Sequence, residues 1–345
     1  MAVRSRRGER SSGAGRSSMN RTLLVVVACA LPIGAALGAQ GQLPRSRFVA
    51  VDKNVELEVL DWGGTGRPVV LLAGNGQTAY SFENFAPDLA RSYHVYGITR
   101  RGFGASSAPA TGYVADRLAD DVLAVIDSLR LEAPVVAGHS LAGEELSSIG
   151  SRHPEKVAGL VYLDAGYGYA YYDSSRGDFR IDAAELRRSL DQLQVAGATG
   201  AFAEMNRLLT ELLQTDLPAM EKTLRAMQNE LPRYASGPPR PLLPPPGTGI
   251  AQAISAGMQR YSAIRAPVLA IYAVSGSVPP QIAADSTATQ RWLLDESGAA
   301  ATFARGVPTA RVVVLPNATH FVFDSNKADV LREMHMFIAS LPPAR

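Results

Sequence analysis

The sequence predicts an α/β fold: a mostly parallel sheet with helices on both faces, interrupted by an inserted helical cap. Three observations predict it. Short continuous apolar runs that end in glycine, such as "PVVLLAGNGQ" and "VAGLVYLDAG", read as buried parallel strands. These runs alternate with segments of helical apolar spacing. The alternation stops near Tyr167 and resumes at "APVLAIYAV". The organisation expected is therefore an N-terminal leader over 1–39, a core built from 40–166 and 266–345, and a helical insertion over 167–265.

The elements follow in order. "SRFVAVD" and "VELEVLDWGG" are β-rich, and the second alternates as a half-buried strand does. "PVVLLAGNGQ" is a buried strand, and "TAYSFENFAPDLA" has helical spacing. "YHVYGITRRGFGAS" is a strand that breaks into a glycine-rich loop. "VADRLADDVLAVIDSLRL" is an amphipathic helix with Leu118, Val122, Val125, Ile126 and Leu129 on one face. "APVVAGHS" is a strand, "LAGEELSSIGSRH" a helix and "VAGLVYLDAG" a strand. Residues 181–231 read as two or three helices, followed by the Pro-rich "LPRYASGPPRPLLPPPGTG". After "APVLAIYAV" come a helical stretch over 280–304, the strand "ARVVVLPNATH" and a last helix, "KADVLREMHMFIASL".

Composition is that of a globular chain, 46% hydrophobic and 19% charged. The formal charge of +2 comes from the N-terminus: residues 1–39 hold six arginines and one acid, and without them the charge is −3. No basic run remains beyond that segment, so nucleic acid is not an expected partner. "MNRTLLVVVACALPIGAALGAQ" has the basic, apolar and small-residue order of a secretory signal, with Met19 as the expected start and cleavage near Ala39. Pro32 breaks the apolar run and argues against a retained membrane helix. "SRRGER" has a twin arginine but no apolar residues behind it. The sole cysteine, Cys29, lies in this segment. The residues after it stay apolar, which argues against a lipid anchor there. A mature chain without cysteine has no disulfide, thiol nucleophile or thiolate metal site.

The chemistry centres on "VVAGHSLAGEELSSIG". Gly138-His139-Ser140-Leu141 begins G-x-S-x-G, but the fifth place is Ala142 and the glycine follows at Gly143. A serine hydroxyl needs a base within hydrogen-bond reach, a group to orient that base and donors for the oxyanion. A sharp strand–turn–helix lifts it clear of a sheet when its flanks are small. Ser140 follows an apolar strand and precedes a helix, and Ala142 is the smallest residue after glycine.

With "LLAGNG", "RRGFGAS", "GHSLAG", "HPEKVAGLVYLDA" and "NATHFVF" in that order, the chain resembles the α/β-hydrolase superfamily over residues 48–345. It departs from the family where His-Gly is frequent, which is Ala73-Gly74 here, and where Asp commonly precedes the arginine, which is Thr99-Arg100 here. The resemblance implies the order Ser, acid, His. His139 adjoins the nucleophile and is expected to point away from it; His94 opens a strand, His153 ends a helix and His335 lies in the last helix. His320, in a loop after a late apolar strand, is the expected base. The oxyanion donors expected are the backbone N–H groups of Leu141 and Asn75, with Gln77 near the pocket. The acid is open between two residues. The family usually takes it from the turn after "APVLAIYAV", but that turn reads "SGSVPP" and its first carboxylate is Asp285. Asp164 ends the strand after the nucleophile helix, a position some family members use, and is the preferred assignment.

Glu144 and Glu145 suit the first turn of a helix as solvated or capping carboxylates. Asp324 reads as a residue near a helix N-terminus. Tyr167, Tyr169, Tyr171 and Tyr172 begin the insertion; Tyr167 and Tyr169 are candidates for an aromatic wall against substrate. No metal-ligand cluster or phosphate loop is recognisable.

The function expected is an exported serine hydrolase that cleaves a carboxylic ester of a small or medium molecule through an acyl-enzyme. No cofactor, nucleic acid or membrane partner is implied after the leader is removed. Haloalkane dehalogenases and epoxide hydrolases of the family require Asp where Ser140 stands. Peroxidase, C–C bond hydrolase and aminopeptidase or amidase chemistry on the same residues stay open. A non-catalytic binding protein on a hydrolase fold is the alternative of another class. Intact-mass measurement on the native protein is expected to show a chain that begins near Gln40, whereas a full-length cytosolic species would contradict the leader.

Overall fold

The structure, a computed structural model, describes residues 43–235, 249–278, 280–283 and 285–343. The leader, with Met19, Cys29 and the cleavage region near Ala39, lies outside the described residues. So does the middle of the Pro-rich loop.

Eight strands make one sheet: β1 (Arg45–Asp52), β2 (Val55–Gly63), β3 (Pro68–Leu72), β4 (His94–Ile98), β5 (Val135–His139), β6 (Gly159–Leu163), β7 (Val268–Val274) and β8 (Arg311–Pro316). Their spatial order is β1-β2-β4-β3-β5-β6-β7-β8. β1 and β2 pair antiparallel, as do β2 and β4; the other pairs are parallel. The parallel strands inside the sheet, β3 to β7, are buried on both faces, which explains their unbroken apolar runs, whereas β8 at the edge is buried only at Val314 and Leu315. In β3, Val69 and Leu71 join one core and Val70 and Leu72 the other, as the twofold side-chain period requires.

Helices cover each face. On one lie α2 (Ala115–Ser128) and α3 (Gly143–Arg152), with Val122, Val125, Leu146 and Ile149 in the core. On the other lie α1 (Ala86–Leu89) and, beyond β8, α10 (Val322–Ser325) and α11 (Lys327–Ser340), with Phe82, Phe85, Val330, Met334 and Phe337 buried. Between β6 and β7 the chain is helical: α4 (Phe179–Thr199), α5 (Phe202–Glu211), α6 (Leu217–Ala235) and α7 (Gly249–Ala256). Asp178 caps α4 by accepting from Arg180 N and Ile181 N, and Gly200 ends it at φ +67°.

Two expectations need correcting. "TAYSFENFAPDLA" is not one helix but a 3-10 turn over Ala79–Phe82 and the four-residue α1. Pro87 sits in the first turn of α1, where its missing N–H is harmless; it would break a helix continuing from the preceding turn. The stretch over 280–304 is two helices, α8 (Ser286–Glu296) and α9 (Gly298–Gly306), because Ser297 leaves the helical path and caps α9 through Ala300 N.

The turn from β5 into α3 is built by three small residues. Ser140 adopts φ +53°, a left-handed conformation rare outside glycine. Ala142 is fully buried, and a Cβ placed on Gly138 would stand 2.9 Å from the Ala142 methyl. Gly138 therefore leaves the space that Ala142 fills. A Cβ on Gly143 would stand 2.1 Å from the Ala165 carbonyl oxygen, so the glycine is obligatory one place later than the pattern has it. Gly138→Ala is expected to cost about 1–3 kcal/mol through overpacking. The Gly138→Ala/Ala142→Gly double variant is expected to be more stable than the sum of the two single changes allows. Denaturant unfolding of the four proteins checks this, and strict additivity would contradict it.

Candidate functional site

Ser140 stands at the C-terminal end of β5, and Asp164 stands at the same end of the neighbouring β6. Ligands in open α/β sheets gather at these strand ends. Both residues have positive φ, +53° and +48°. Two left-handed non-glycine residues side by side are a local strain that the surrounding packing has to hold.

Asp164 is almost fully buried and its carboxylate is well supplied with donors. Oδ2 lies 2.7 Å from Nδ1 of His320. Oδ1 accepts from the backbone N–H of Ala273 on β7 at 3.0 Å and from the Tyr167 hydroxyl at 2.8 Å. His320 reaches this position from the loop after β8, which is tied to the end of β7 by Ala318 N–H donating to Val274 O at 3.1 Å. Asp285 is elsewhere employed: it is the N-cap of α8, accepting from Thr287 N at 2.8 Å and Ala288 N at 3.0 Å. The structure thus brings His320 together with Asp164 and not with Asp285.

Gly74, in the loop after β3, lies against the serine: a Cβ there would stand 3.2 Å from Ser140 Cβ and 3.0 Å from His139 Nδ1. The loop that carries Asn75 is therefore next to Ser140, and only a glycine at 74 permits the approach. Asn75 itself is exposed in the turn. Leu141, the residue after the serine, packs against Tyr172, Ile181 and Met258 from the helical insertion and its flanks.

Arg100 holds this loop. Its guanidinium donates to Ala73 O at 3.0 Å and Gly74 O at 3.4 Å, and pairs in two contacts with Glu145 at 2.6 and 2.7 Å. Burial opposes its charge, but Glu145 outweighs burial and holds Arg100 above its ordinary pKa. Sequence reasoning treated Thr99-Arg100 only as a departure from the family pattern. The unpaired look of "TRRG" in a buried segment was the available signal. The reading of Glu144 and Glu145 as solvated or capping residues is corrected here: both are buried, at 1% and 3% exposure. Glu145 is consumed by Arg100. Glu144 has neither carboxyl oxygen hydrogen-bonded among the described residues, and burial, helped by the neighbouring Glu145, pushes its pKa well above the carboxylate range.

His139 also arranges the site. Its Nε2 lies 3.0 Å from the backbone oxygen of His320, and the two imidazole centroids are 4.6 Å apart. Burial first, and then the charge of His320, lowers its pKa to about 4, so it is neutral at neutral pH. Nε2–H donates to that carbonyl, which leaves Nδ1 as an acceptor. The atom 3.3 Å from Nδ1 is Gln77 Oε1, itself an acceptor, so with this tautomer the contact becomes a hydrogen bond only when the amide turns to present its NH2. Strand alternation alone did not reveal that His139 reaches the base loop.

The two tyrosines separate in role. Tyr169 lies beside the Ser140 hydroxyl, and burial together with Tyr167 raises its pKa. Tyr167 spends its hydroxyl on Asp164, which leaves its ring as the part that can face a ligand; burial and the Asp164 charge raise its pKa. The remaining histidines are remote from Ser140 in their contacts: His94 pairs with Asp61, His335 with Tyr93, and His153 ends α3. Asp324 lies in the first turn of α10.

A model of the alpha/beta hydrolase family matches residues 69–333. The chain is 28% identical to a pimeloyl-[acyl-carrier protein] methyl ester esterase of Chromobacterium violaceum over 272 residues, which covers 79% of this chain and 94% of that protein. It is 31% identical to a 2-hydroxymuconate semialdehyde hydrolase of Pseudomonas sp. (strain CF600) over 151 residues, 42% of this chain. That match is partial: the chain spans 47% of that relative's length, and less than half of other curated relatives. Among solved structures, that of E-2-(acetamidomethylene)succinate hydrolase superposes with a TM-score of 0.52 at 23% identity, covering 86% of this chain and all of the other. Eight strands in this order, a serine at the tight turn after the fifth and a match across most of the chain lead to one conclusion: the chain belongs to the alpha/beta hydrolase family.

Proposed function

We propose that this chain is a serine hydrolase that cleaves a carboxylic ester of a small or medium molecule through an acyl-enzyme. Ser140 is the nucleophile, His320 its base and Asp164 the group that orients the base. The observation that carries the reading is the 2.7 Å contact of His320 Nδ1 with Asp164, next to a strand end whose serine is held at φ +53°. With Nδ1–H donated to the carboxylate, His320 Nε2 keeps its lone pair for the serine proton.

The steps follow from that tautomer. Ser140 Oγ bonds to the acyl carbon as its proton passes to His320 Nε2. The carbonyl electron pair moves onto oxygen, where the N–H groups of Leu141 and Asn75 are the donors. Collapse expels the alcohol, which takes the proton from Nε2–H. Water then attacks the acyl-enzyme by the same route, and the acid leaves with Ser140 restored. His320 is 46% exposed at its side chain, so water has access to the base. The family's ester-cleaving relative, matched over most of both chains, supports the ester as substrate class. On the sequence reading of the leader, the reaction takes place outside the cytoplasm.

Ser140→Ala is expected to abolish turnover on the best ester while leaving the unfolding transition in place; more than a few per cent of residual activity would sink the assignment. A fluorophosphonate probe is expected to label the wild-type chain and not Ser140→Ala, which separates a hydrolase from a binding protein. Acyl esters assayed against aminoacyl amides separate esterase from peptidase. Asp164→Asn is expected to lower kcat by about 10³–10⁴-fold by setting the wrong His320 tautomer. Asp285→Asn, which alters only the cap of α8, is expected to stay near wild type. The reverse pattern would transfer the acid to Asp285.

A further inference from the structure

We propose that the cavity between the β6–α4 loop and α9 is a second small-molecule site, separate from Ser140, that takes an aromatic carboxylate. The cavity has a volume of about 410 Å³, within the range of ligand sites. Tyr167, Tyr171, Tyr172 and Phe303 give it aromatic walls. Arg176 and two carboxylates, Asp173 and Asp178, supply its charge.

The class of ligand follows from which polar groups are already spent. Tyr167 donates to Asp164 and Tyr172 donates to Asp182, so two of the three phenols are committed. Asp178 Oδ1 caps α4. Asp173 Oδ1 accepts from both the N–H and the hydroxyl of Ser175, and although Asp173 feels the Arg176 charge, it forms no contact with it close enough to be an ion pair. Apart from Asp173 Oδ2, an acceptor on the cavity's acidic side, the groups left without a hydrogen bond or ion pair among the described residues are the Arg176 guanidinium and the Tyr171 hydroxyl. Both can donate. A ligand that satisfies them is an acceptor, and a carboxylate meets a guanidinium in two parallel contacts. The four rings favour a flat apolar body behind that carboxylate.

The site is coupled to the reaction site by one shared wall. Tyr167 lines the cavity with its ring and holds Asp164 with its hydroxyl. A ligand packed on that ring changes the placement of the hydroxyl, and through it the carboxylate that orients His320. Occupancy is thus a means of lowering kcat without blocking substrate.

Phenylacetate and its neutral counterpart phenylacetamide are the probes. Isothermal titration of the full chain is expected to show phenylacetate binding in the millimolar range or tighter, and the amide more weakly. Arg176→Ala, an exposed change, is expected to weaken phenylacetate about tenfold and leave the amide unchanged. Gly298→Phe is expected to abolish binding of both, because a Cβ at Gly298 meets open space and the ring fills the cavity from its edge. In assays on the best ester, phenylacetate is expected to lower kcat with KM unchanged in the wild type and to have no effect on Gly298→Phe. Equal affinity for acid and amide, binding that survives Gly298→Phe, purely competitive inhibition or no binding at all would overturn the proposal. The titrations do not depend on Ser140 being the nucleophile, so they test the cavity even if the reaction assignment fails.

Discussion

The site rests on one buried ion pair. Arg100 and Glu145 are taken out of water together, at 7% and 3% exposure. Desolvation of two ions costs several kcal/mol each, and a pair repays it only with good geometry and further hydrogen bonds. Both conditions are met: two contacts to the carboxylate, and two of the three remaining donors spent on the carbonyls of Ala73 and Gly74. The pair joins the end of β4 to α3, and the same guanidinium fixes the loop that leads to Asn75. The strand order puts β3 between β4 and β5, so this single cation spans the strand whose end must approach the serine. The adjacent Arg101 is neutralised by Asp121 on α2 at 2.5 and 2.6 Å. α2 and α3 pack on the same face of the sheet, so the two consecutive arginines find their separate acids on neighbouring helices.

Much of this architecture was legible in the sequence because it rests on local regularities. Continuous apolar runs marked the parallel strands, and the small residues around Ser140 marked the turn. Asp164 was visible as a carboxylate at a strand end once the turn after β7 was seen to lack one. What stayed hidden depends on long-range pairing. Glu144 and Glu145 have the same residue type, the same helix turn and the same favourable dipole environment. Nothing local says that one faces Arg100 across 45 residues of sequence and the other faces no donor. Tyr167 reads as an aromatic wall because a tyrosine ring carries most of its surface in carbon; what the fold adds is that its hydroxyl goes to Asp164. The 3-10 turn at Ala79–Phe82 was missed because helical spacing says nothing of Pro87 ending the continuity.

Glu144 shows which of two opposing effects wins at this helix end. The N-terminal dipole favours an anion by roughly 0.3–1 kcal/mol, up to ~2 in buried settings. Burial without a partner disfavours the charge by more than that. The carboxyl is accordingly raised well above its ordinary range, with Glu145 adding repulsion and Arg100 and Arg180 too weak to reverse it. Consecutive carboxyls thus differ in their partners: Glu145 meets Arg100 in two contacts, and Glu144 has no hydrogen bond among the described residues.

Burial is unequal across the proposed catalytic pair as well. Asp164 is at 3% side-chain exposure and His320 at 46%. The carboxylate is kept dry and fully hydrogen-bonded by β7 and Tyr167, which fixes its direction before any substrate arrives. The imidazole, in contrast, is clamped from its backbone: His139 holds the His320 carbonyl at 3.0 Å while the ring is left accessible on the other side. An acyl-enzyme needs this division. Its formation requires a base set in one tautomer, and its breakdown requires water at that same base. A buried acid behind an exposed, backbone-anchored histidine suits the proposed acyl-enzyme route, which asks for a base held in one tautomer and open to water.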